Sequence, residues 1–227
     1  MIPPGLVERA AFVLEAACPD LPPGTVNLAV VDPGVGTERR ALAVRGRGQL
    51  FVGPDNGILE WALSDPDAEV RSLTEARYFR QPVSRTFHGR DVFAPIAAAL
   101  ARGEPIGRLG PRVTDLVRLP LGEAVLRADA LVGHVVFADR FGNALTNLTA
   151  ARIAEAWGDG ADDRGYEVLV LDRRIEGLSR SYGDAPVGTV VAILGSSGRL
   201  EIAQVGGAAT ERLGLGEGDT VTVRRRR

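Results

Sequence analysis

Three polar side chains in the first half of the chain have the chemistry needed to hold and polarise one water molecule. Asp32 directly follows the apolar segment 25–31, which predicts a buried strand, and Arg39 follows seven residues later. His88 lies in the polar segment 86–91. Ligands of open α/β sheets bind beyond the carboxyl ends of the strands. A carboxylate, a guanidinium and an imidazole that meet at such an edge could orient a water molecule and remove its proton.

Each of these side chains also has an ordinary structural explanation. An aspartate before Pro-Gly is common in turns, and Arg39 could be a surface charge. A single loop histidine such as His88 is more often structural than catalytic. Spacing alone therefore leaves both explanations open.

The composition narrows the chemistry that the chain supports. All 27 basic side chains are arginine, which excludes Schiff-base and pyridoxal-phosphate chemistry and the phosphate-loop lysine. Two histidines and one cysteine are too few for the usual zinc site, so we expect no metal. A net charge of −2 favours neither nucleic acid nor a membrane as a partner. The single cysteine fits the cytoplasmic localisation that we expect.

The predicted elements divide the chain into two parts. Helices are predicted at residues 6–17 and 92–101, the second with Asp91 as its N-cap. The first part also has short strands at 25–31, 41–44 and 50–52. The strands predicted for the second part, separated by Gly, Asp and Ser clusters, are 130–138, 144–148, 166–171, 189–194, 200–204 and 220–223. We therefore expect an α/β N-terminal domain, residues 1–122, and a mainly β C-terminal domain, residues 123–227.

Five segments, in order along the chain, carry a resemblance to a known family. They are VVDPGVGTERR (30–40), PDNG (54–57), TFHGRD (86–91), DRFGN (139–143) and GSSG (195–198). Together they resemble the SAM hydroxide adenosyltransferases, of the fluorinase-like superfamily, where SAM is S-adenosyl-L-methionine. The resemblance implies an α/β N-terminal domain and a smaller, barrel-like β domain. It also implies a homotrimer whose sites lie at subunit interfaces.

The resemblance further implies roles for individual residues. The water-activating triad of the family falls on Asp32, Arg39 and His88. The positions that match its substrate contacts are Asp32, Asp139, Phe141, Asn143, Tyr182, Ser196, Glu201 and Gln204. Asn143 matches a residue that hydrogen-bonds adenine, and Asp139 matches one near the methionine portion. Gln204 stands where relatives often carry an apolar residue, which leaves its role open.

The implied reaction is the hydrolysis of SAM to adenosine and L-methionine. Water attacks the ribose C5′ and neutral methionine leaves, so no metal or other cofactor is required. Members that use halide carry an aromatic residue at the position of Asp32 and a hydroxyl residue at that of Val35. A carboxylate at position 32 would repel halide, so we expect hydrolysis rather than halogenation.

Two other functions stay open. A SAM-dependent methyltransferase would usually carry a G-x-G-x-x-G loop, which the sequence lacks. A non-catalytic relative would hold adenosine or SAM without converting it. The family also has a first strand, with an aspartate that binds the ribose hydroxyls, upstream of the position that Met1 matches. Because the sequence lacks both, we expect this chain to bind substrate weakly.

Overall fold

The computed structural model describes residues 2–119, 122, 124–158 and 165–226. The chain divides into two compact units, Met1–Leu119 and Pro120–Arg227. The boundary predicted between residues 122 and 123 falls beside residues 120, 121 and 123, which lie outside the described part. Within the described part, none of the helices has the length and apolar character required to span a membrane.

The first unit is built on a four-stranded mixed sheet in the order β1-β3-β2-β4. Only β1 and β3 run parallel; β2 pairs antiparallel with both β3 and β4. The strands are β1 (Val26–Leu28), β2 (Ala41–Gly46), β3 (Gln49–Pro54) and β4 (Glu69–Ser72). The helices are α1 (Val7–Ala17), α2 (Glu60–Leu63) and α3 (Ala94–Ala101), with 3₁₀ turns at Cys18–Asp20, Ala76–Tyr78 and Ile106–Arg108.

Alternate residues of a strand point to opposite faces of the sheet, and both faces of this sheet carry apolar side chains that helices cover. Leu42 belongs to a buried apolar cluster that includes residues of α1 and α2. The next residue, Ala43, belongs to a second cluster with Phe93 and Ile96. The sheet therefore lies between two helical layers, which confirms the α/β class predicted for this part.

β1 is shorter than the strand predicted at residues 25–31. Beyond β1, the Ala29 N–H continues the ladder by donating to the Val52 carbonyl at 2.9 Å. The β-branched residues that follow leave the sheet toward Asp32. The β-branched pattern thus predicted the position of the strand but not its end, because the pattern does not distinguish a hydrogen-bonded strand from an extended loop.

The second unit is an eight-stranded antiparallel sheet in the order β10-β11-β7-β6-β12-β8-β9, with β5 paired to β6. Its strands are β5 (Val125–Arg127), β6 (Ala130–Ala138), β7 (Ala144–Thr149), β8 (Tyr166–Val170), β9 (Arg173–Glu176), β10 (Val190–Leu194), β11 (Arg199–Gln204) and β12 (Thr220–Arg225). Ser179, shortly after β9, bridges to Ile193 of β10. The two ends of the sheet therefore meet in a nearly closed barrel, which confirms the barrel-like β domain.

Alternate strand residues fill the interior of this barrel. Leu131, Leu148, Val168, Ile202 and Val221 are completely buried members of one cluster. Two helices, α4 (Ala150–Trp157) and α5 (Ala209–Leu213), and a 3₁₀ turn at Tyr182–Asp184 connect strands. β5 and β9 were not predicted, because their exposed, arginine-containing sequences lack the apolar alternation of a half-buried strand.

Candidate active site

The structure brings the three predicted catalytic side chains together in the first unit. Arg39 Nε donates to Asp32 Oδ1 and Oδ2 at 2.9 and 3.0 Å, and Arg39 Nη2 also donates to Asp32 Oδ2. The same Nη2 lies 2.8 Å from His88 Nδ1. One guanidinium therefore joins a carboxylate and an imidazole that come from two separate loops.

Burial and an aromatic ring hold this guanidinium in place. The side chains of Arg39 and Asp32 are only 11% and 6% exposed. The Arg39 guanidinium carbon lies 5.1 Å from the ring centroid of Phe93, which is completely buried. Charge pairing and the cation–π contact both strengthen when water is excluded. The position of Arg39 is thus fixed from three sides.

The contact with Arg39 also assigns the protonation state of His88. A guanidinium only donates hydrogen bonds, so His88 Nδ1 must accept with its lone pair. His88 is then a neutral imidazole with its proton on Nε2, which leaves Nε2 as a donor. The carboxylate of Asp32 is the member of the triad that keeps unused lone pairs.

A glycine allows the two loops of the triad to approach each other. Gly36 has φ +81°, and a Cβ built there would lie 2.5 Å from the Arg85 carbonyl oxygen. Glycine adopts positive φ without steric cost. Because Arg85 precedes His88 by three residues, this close approach helps to set the distance between Arg39 and His88.

Asp91 anchors the loop that carries His88. Its buried carboxylate accepts from Arg90 Nε at 2.7 Å, from the Ser84 N–H at 2.9 Å and from Arg80 Nη1 at 3.2 Å. The Arg90 hydrogen bond, with those from Ser84 and Arg80, holds the pKa of the Asp91 carboxyl well below its ordinary value of 3.8. These contacts tie residues 80–91 into one compact loop.

The N-cap role predicted for Asp91 is wrong. The α-helical part of α3 begins only at Ala94, after a π-helical turn at Gly89–Phe93, and neither start has a side-chain cap. The carboxylate is used by the preceding loop instead. π-helical turns are frequent at functional sites, and this one directly follows His88.

The turn 54–57 braces both ends of the Asp32–Arg39 loop. Asn56 Nδ2 donates to the Val31 carbonyl at 2.9 Å, directly before the triad carboxylate. Asp55 Oδ2 accepts from Arg40 Nε at 2.8 Å, directly after the bridging guanidinium. Sequence reasoning noticed this motif but assigned it no role, because side-chain contacts across a fold have no local pattern.

The remaining predicted residues surround a cavity of about 570 Å³ in the second unit. This volume lies within the range of small-molecule sites. The cavity is lined by Asp139, Phe141, Asn143, Tyr182, Ser196, Glu201, Gln204, Gly206 and Gly207. Gly206 and Gly207 were not predicted as site residues, and the only signal for them was a glycine pair after a strand.

One carboxylate organises the turn between β6 and β7 at the wall of this cavity. Asp139 Oδ1 accepts from the Phe141 N–H at 2.7 Å and from the Asn143 N–H at 3.0 Å. Asp139 Oδ2 accepts from Asn143 Nδ2 at 3.0 Å. Phe141, at the tip of the turn, is 62% exposed, so its ring is available to a ligand.

A second carboxylate lies deeper in the cavity. Glu201 is 8% exposed, and its Oε2 accepts from Tyr182 Oη at 3.1 Å. Burial raises the pKa of the Glu201 carboxyl, and the charge of Asp139 adds to that effect. Burial and the Glu201 charge raise the pKa of Tyr182 to about 12. The pair places negative charge beside an aromatic ring, which suits a cationic ligand with a flat group.

Two further predicted residues have less direct roles. Gln204 Nε2 donates to the Gly188 carbonyl at 3.4 Å, a weak contact, and Gln204 lines the cavity. Ser196 is an exposed residue of the turn between β10 and β11 and lines the same cavity. Among the described residues, no three His, Cys, Asp or Glu side chains are grouped to hold a metal ion.

Family models match both units. The N-terminal domain of the SAM hydroxide adenosyltransferases matches residues 1–110, and the C-terminal domain of that family matches residues 133–222. This chain belongs to the SAM hydroxide adenosyltransferase family. The family resemblance inferred from five short segments is thereby confirmed.

Relatives and solved structures agree with this membership over nearly the whole chain. A Thermus thermophilus protein named (R)-S-adenosyl-L-methionine hydrolase is 46% identical, over 96% of this chain and 82% of its own. A fluorinase from Nocardia brasiliensis is 28% identical, over 99% of this chain and 84% of its own. The crystal structure of an uncharacterized conserved protein from Thermotoga maritima superposes with a TM-score of 0.89 at 36% identity, covering 99% and 86% of the two chains. The two-domain fold of this family member thus has a close structural counterpart.

Proposed function

We propose that this chain hydrolyses S-adenosyl-L-methionine, in the (R) form that the name of the Thermus relative specifies, to adenosine and L-methionine. The observation that carries the proposal is the Arg39 bridge between Asp32 and His88. It gives a family member a preorganised, partly buried carboxylate, guanidinium and imidazole that together can orient one water molecule.

In the proposed reaction, a water oxygen attacks the ribose C5′ opposite the sulfonium. The C5′–O bond forms as the C5′–S bond breaks, and the C–S electron pair stays on sulfur. Methionine therefore leaves as a neutral thioether and needs no acid. One proton must leave the water, and its removal by a positioned base is worth about 10²- to 10⁴-fold in rate.

The hydrogen-bond pattern supports a different task for each of the three residues. Asp32 has lone pairs left after its contacts with Arg39, so it accepts the proton from the water. His88 donates through Nε2 to the water oxygen and orients it. Arg39 fixes the positions of Asp32 and His88 relative to each other. No metal or other cofactor takes part in these steps.

The same carboxylate favours water over halide as the nucleophile. A fluoride or chloride ion beside Asp32 would meet a like charge in a site with little solvent. We further propose that the protein is a cytoplasmic homotrimer, as the family resemblance implies. Light scattering of the purified protein measures the assembly directly.

The test is chromatography of products formed from SAM in ¹⁸O-labelled water. The proposal expects adenosine that carries the label in its 5′-hydroxyl, together with unlabelled methionine. His88→Ala and Asp32→Asn should each lower the rate by 100-fold or more, on the order expected for a lost general base or orienting donor. Adenosine without label, or unchanged rates in both variants, would refute the proposal.

Two matched substitutions control for nonspecific effects. His134→Ala removes the other histidine, which lies on β6, and Asp172→Asn alters an exposed carboxylate. Both should keep the wild-type rate. A second experiment adds chloride or fluoride to the same reaction. Formation of a 5′-halogenated adenosine would show that the function is halogenation rather than hydrolysis.

A further inference from the structure

We propose that Asp139 fixes the orientation of the Asn143 amide and thereby makes the cavity of the second unit select adenine over hypoxanthine. The inference rests on the proposed function for the identity of the substrate. It adds a second role for Asp139 to the contact with the methionine portion that the family resemblance implies. Asp139 is a positioning residue, and Asn143 is the side chain that meets the base.

The orientation of the amide follows from the chemistry of its partner. An ionised carboxylate only accepts hydrogen bonds, so the group of Asn143 that faces Asp139 Oδ2 at 3.0 Å must be the NH₂. The other carboxylate oxygen is fully engaged by the N–H groups of Phe141 and Asn143. Asp139 thus has no donor to offer, and the amide has one permitted orientation.

This orientation determines what Asn143 presents to the cavity. Among the described residues, Asn143 Oδ1 has no hydrogen-bond partner, and Asn143 lines the cavity. The side chain therefore offers one free acceptor and one remaining N–H. Adenine presents the complementary pair, the N6 amino donor beside the N7 acceptor, which asparagine reads with two hydrogen bonds. Hypoxanthine has an oxygen in place of the amino group, which would face Oδ1 with no proton between them.

The surrounding turn prevents the amide from moving away from Asp139. Asn143 is 7% exposed, and the Asp139 N–H donates to the Asn143 carbonyl at 3.0 Å. Gly142 has φ +80°, a Cβ there would overlap Ala208, and its carbonyl accepts from the Thr210 N–H at 3.0 Å. The turn is therefore packed against the start of α5. A rotation of the Asn143 amide within this turn is possible only if its partner at position 139 changes.

Asp139→Asn provides that change with almost the same shape. The two backbone N–H groups still require an acceptor, so the new carbonyl oxygen faces them and the new NH₂ faces Asn143. The Asn143 amide must then turn its Oδ1 toward position 139 and its NH₂ toward the cavity. That arrangement suits the hypoxanthine oxygen and repels the adenine amino group.

The experiment compares adenosine and inosine binding by calorimetry, with hydrolysis of SAM and of S-inosyl-L-methionine as a second readout. The wild type should prefer adenosine roughly 10- to 100-fold, the range expected for one asparagine–adenine pair. Asp139→Asn should lower the ratio of the two affinities by at least about tenfold, toward or past equality. A smaller change in the ratio overturns the inference, even if both affinities fall, because a purely structural loss weakens both nucleosides alike.

Two additional measurements separate the possible failures. In an Asn143→Ala background, Asp139→Asn should leave the ratio unchanged, because the side chain through which it acts is absent. If Asp139→Asn does not fold, NMR of the wild type decides: a coupling across the hydrogen bond from the Asn143 NH₂ to the Asp139 carboxylate supports the inference, and its absence overturns it. If the wild type prefers adenosine to inosine but releases no adenosine from SAM, only the proposed function is contradicted.

Discussion

The two sets of candidate site residues use their polar groups in opposite ways. In the first unit, Asp32, Arg39 and His88 contact one another directly, and the charged pair is almost completely buried. In the second unit, Asn143 and Glu201 keep free hydrogen-bonding capacity toward a cavity of about 570 Å³. The proposed catalytic groups are held by contacts with each other, whereas the proposed ligand-binding groups are held by their own turn or neighbouring segment and keep free hydrogen-bonding groups toward the cavity.

The supporting contacts follow the same division. The triad is held by a contact between distant segments, from Asn56 to Val31, and by a contact within the loop of His88, from Ser84 to Asp91. The cavity residues are held by a turn of five residues and by a pair on neighbouring segments, Tyr182 and Glu201. Changes in the positions of the charged groups of the triad should therefore affect kcat, and changes in single contacts of the cavity should affect KM.

The largest effect is expected from Arg39→Lys. An ammonium presents its three N–H groups from a single nitrogen, so it cannot reproduce the geometry in which Nε and Nη2 of the planar guanidinium contact Asp32 and His88. Loss of one preorganised interaction of this kind costs about 10²- to 10³-fold in kcat. Steady-state kinetics should show that loss with little change in KM, and Arg45→Lys, an exposed arginine on β2, should not. A kcat within twofold of wild type would remove the bridge from the mechanism.

Glu201→Gln should instead act mainly on KM. The buried carboxylate lines the cavity and, under the proposed function, should attract the positively charged substrate; a charge-assisted contact is worth about 10- to 100-fold in affinity. The thermal midpoint should stay the same or rise, because the cost of burying the charge is removed. A fall in kcat at unchanged KM would move Glu201 from recognition into the chemical step.

A steric variant tests the same carboxylate without removing its charge. A Cβ at Gly195 would overlap Glu201 Oε1, so Gly195→Ala must displace the side chain. KM should rise as it does in Glu201→Gln. Gly165→Ala, where a Cβ would meet nothing within 4 Å, is the matched control.

A smaller effect on kcat is expected from Gly36→Ala. The new Cβ would press on the Arg85 carbonyl and push the Asp32–Arg39 loop away from His88. Since a 1 Å misplacement of a catalytic group can lower the reaction rate about 100-fold, a smaller shift of this loop should lower kcat by roughly tenfold. Gly24 has the same φ of +81° and nothing within 4 Å of a Cβ, so Gly24→Ala carries the backbone strain alone. Equal kcat in the two variants would show that loop approach does not matter.

The sequence pointed to residues that the structure places together in the triad and around the cavity, but not to the contacts that hold them. Asp32, Arg39, His88 and the cavity residues stand in short segments with recognisable order, and most strands of the barrel show apolar alternation. The brace from Asn56 to Val31 joins residues 25 positions apart, and no periodicity marks it. The role of Asp91 was misassigned for the same reason: a local pattern fits a helix cap, but a loop outside the helix uses the carboxylate.

The smallest effect, and a pH-dependent one, is expected from Asp91→Asn. The native pKa of Asp91 lies below its ordinary value of 3.8, so the folded protein holds this group ionised where the unfolded chain takes up a proton. Its contribution to the free energy of unfolding is fully present above about pH 4 and is lost as the pH falls toward the native pKa. Urea unfolding should therefore show wild type more stable than Asp91→Asn at pH 7, with the gap closing in acid. As a control, the exposed Asp172→Asn should have nearly the wild-type free energy of unfolding at pH 7. A gap for Asp91→Asn that stays constant from pH 7 to the acid range would mean that the loop of His88 is held by shape rather than by charge.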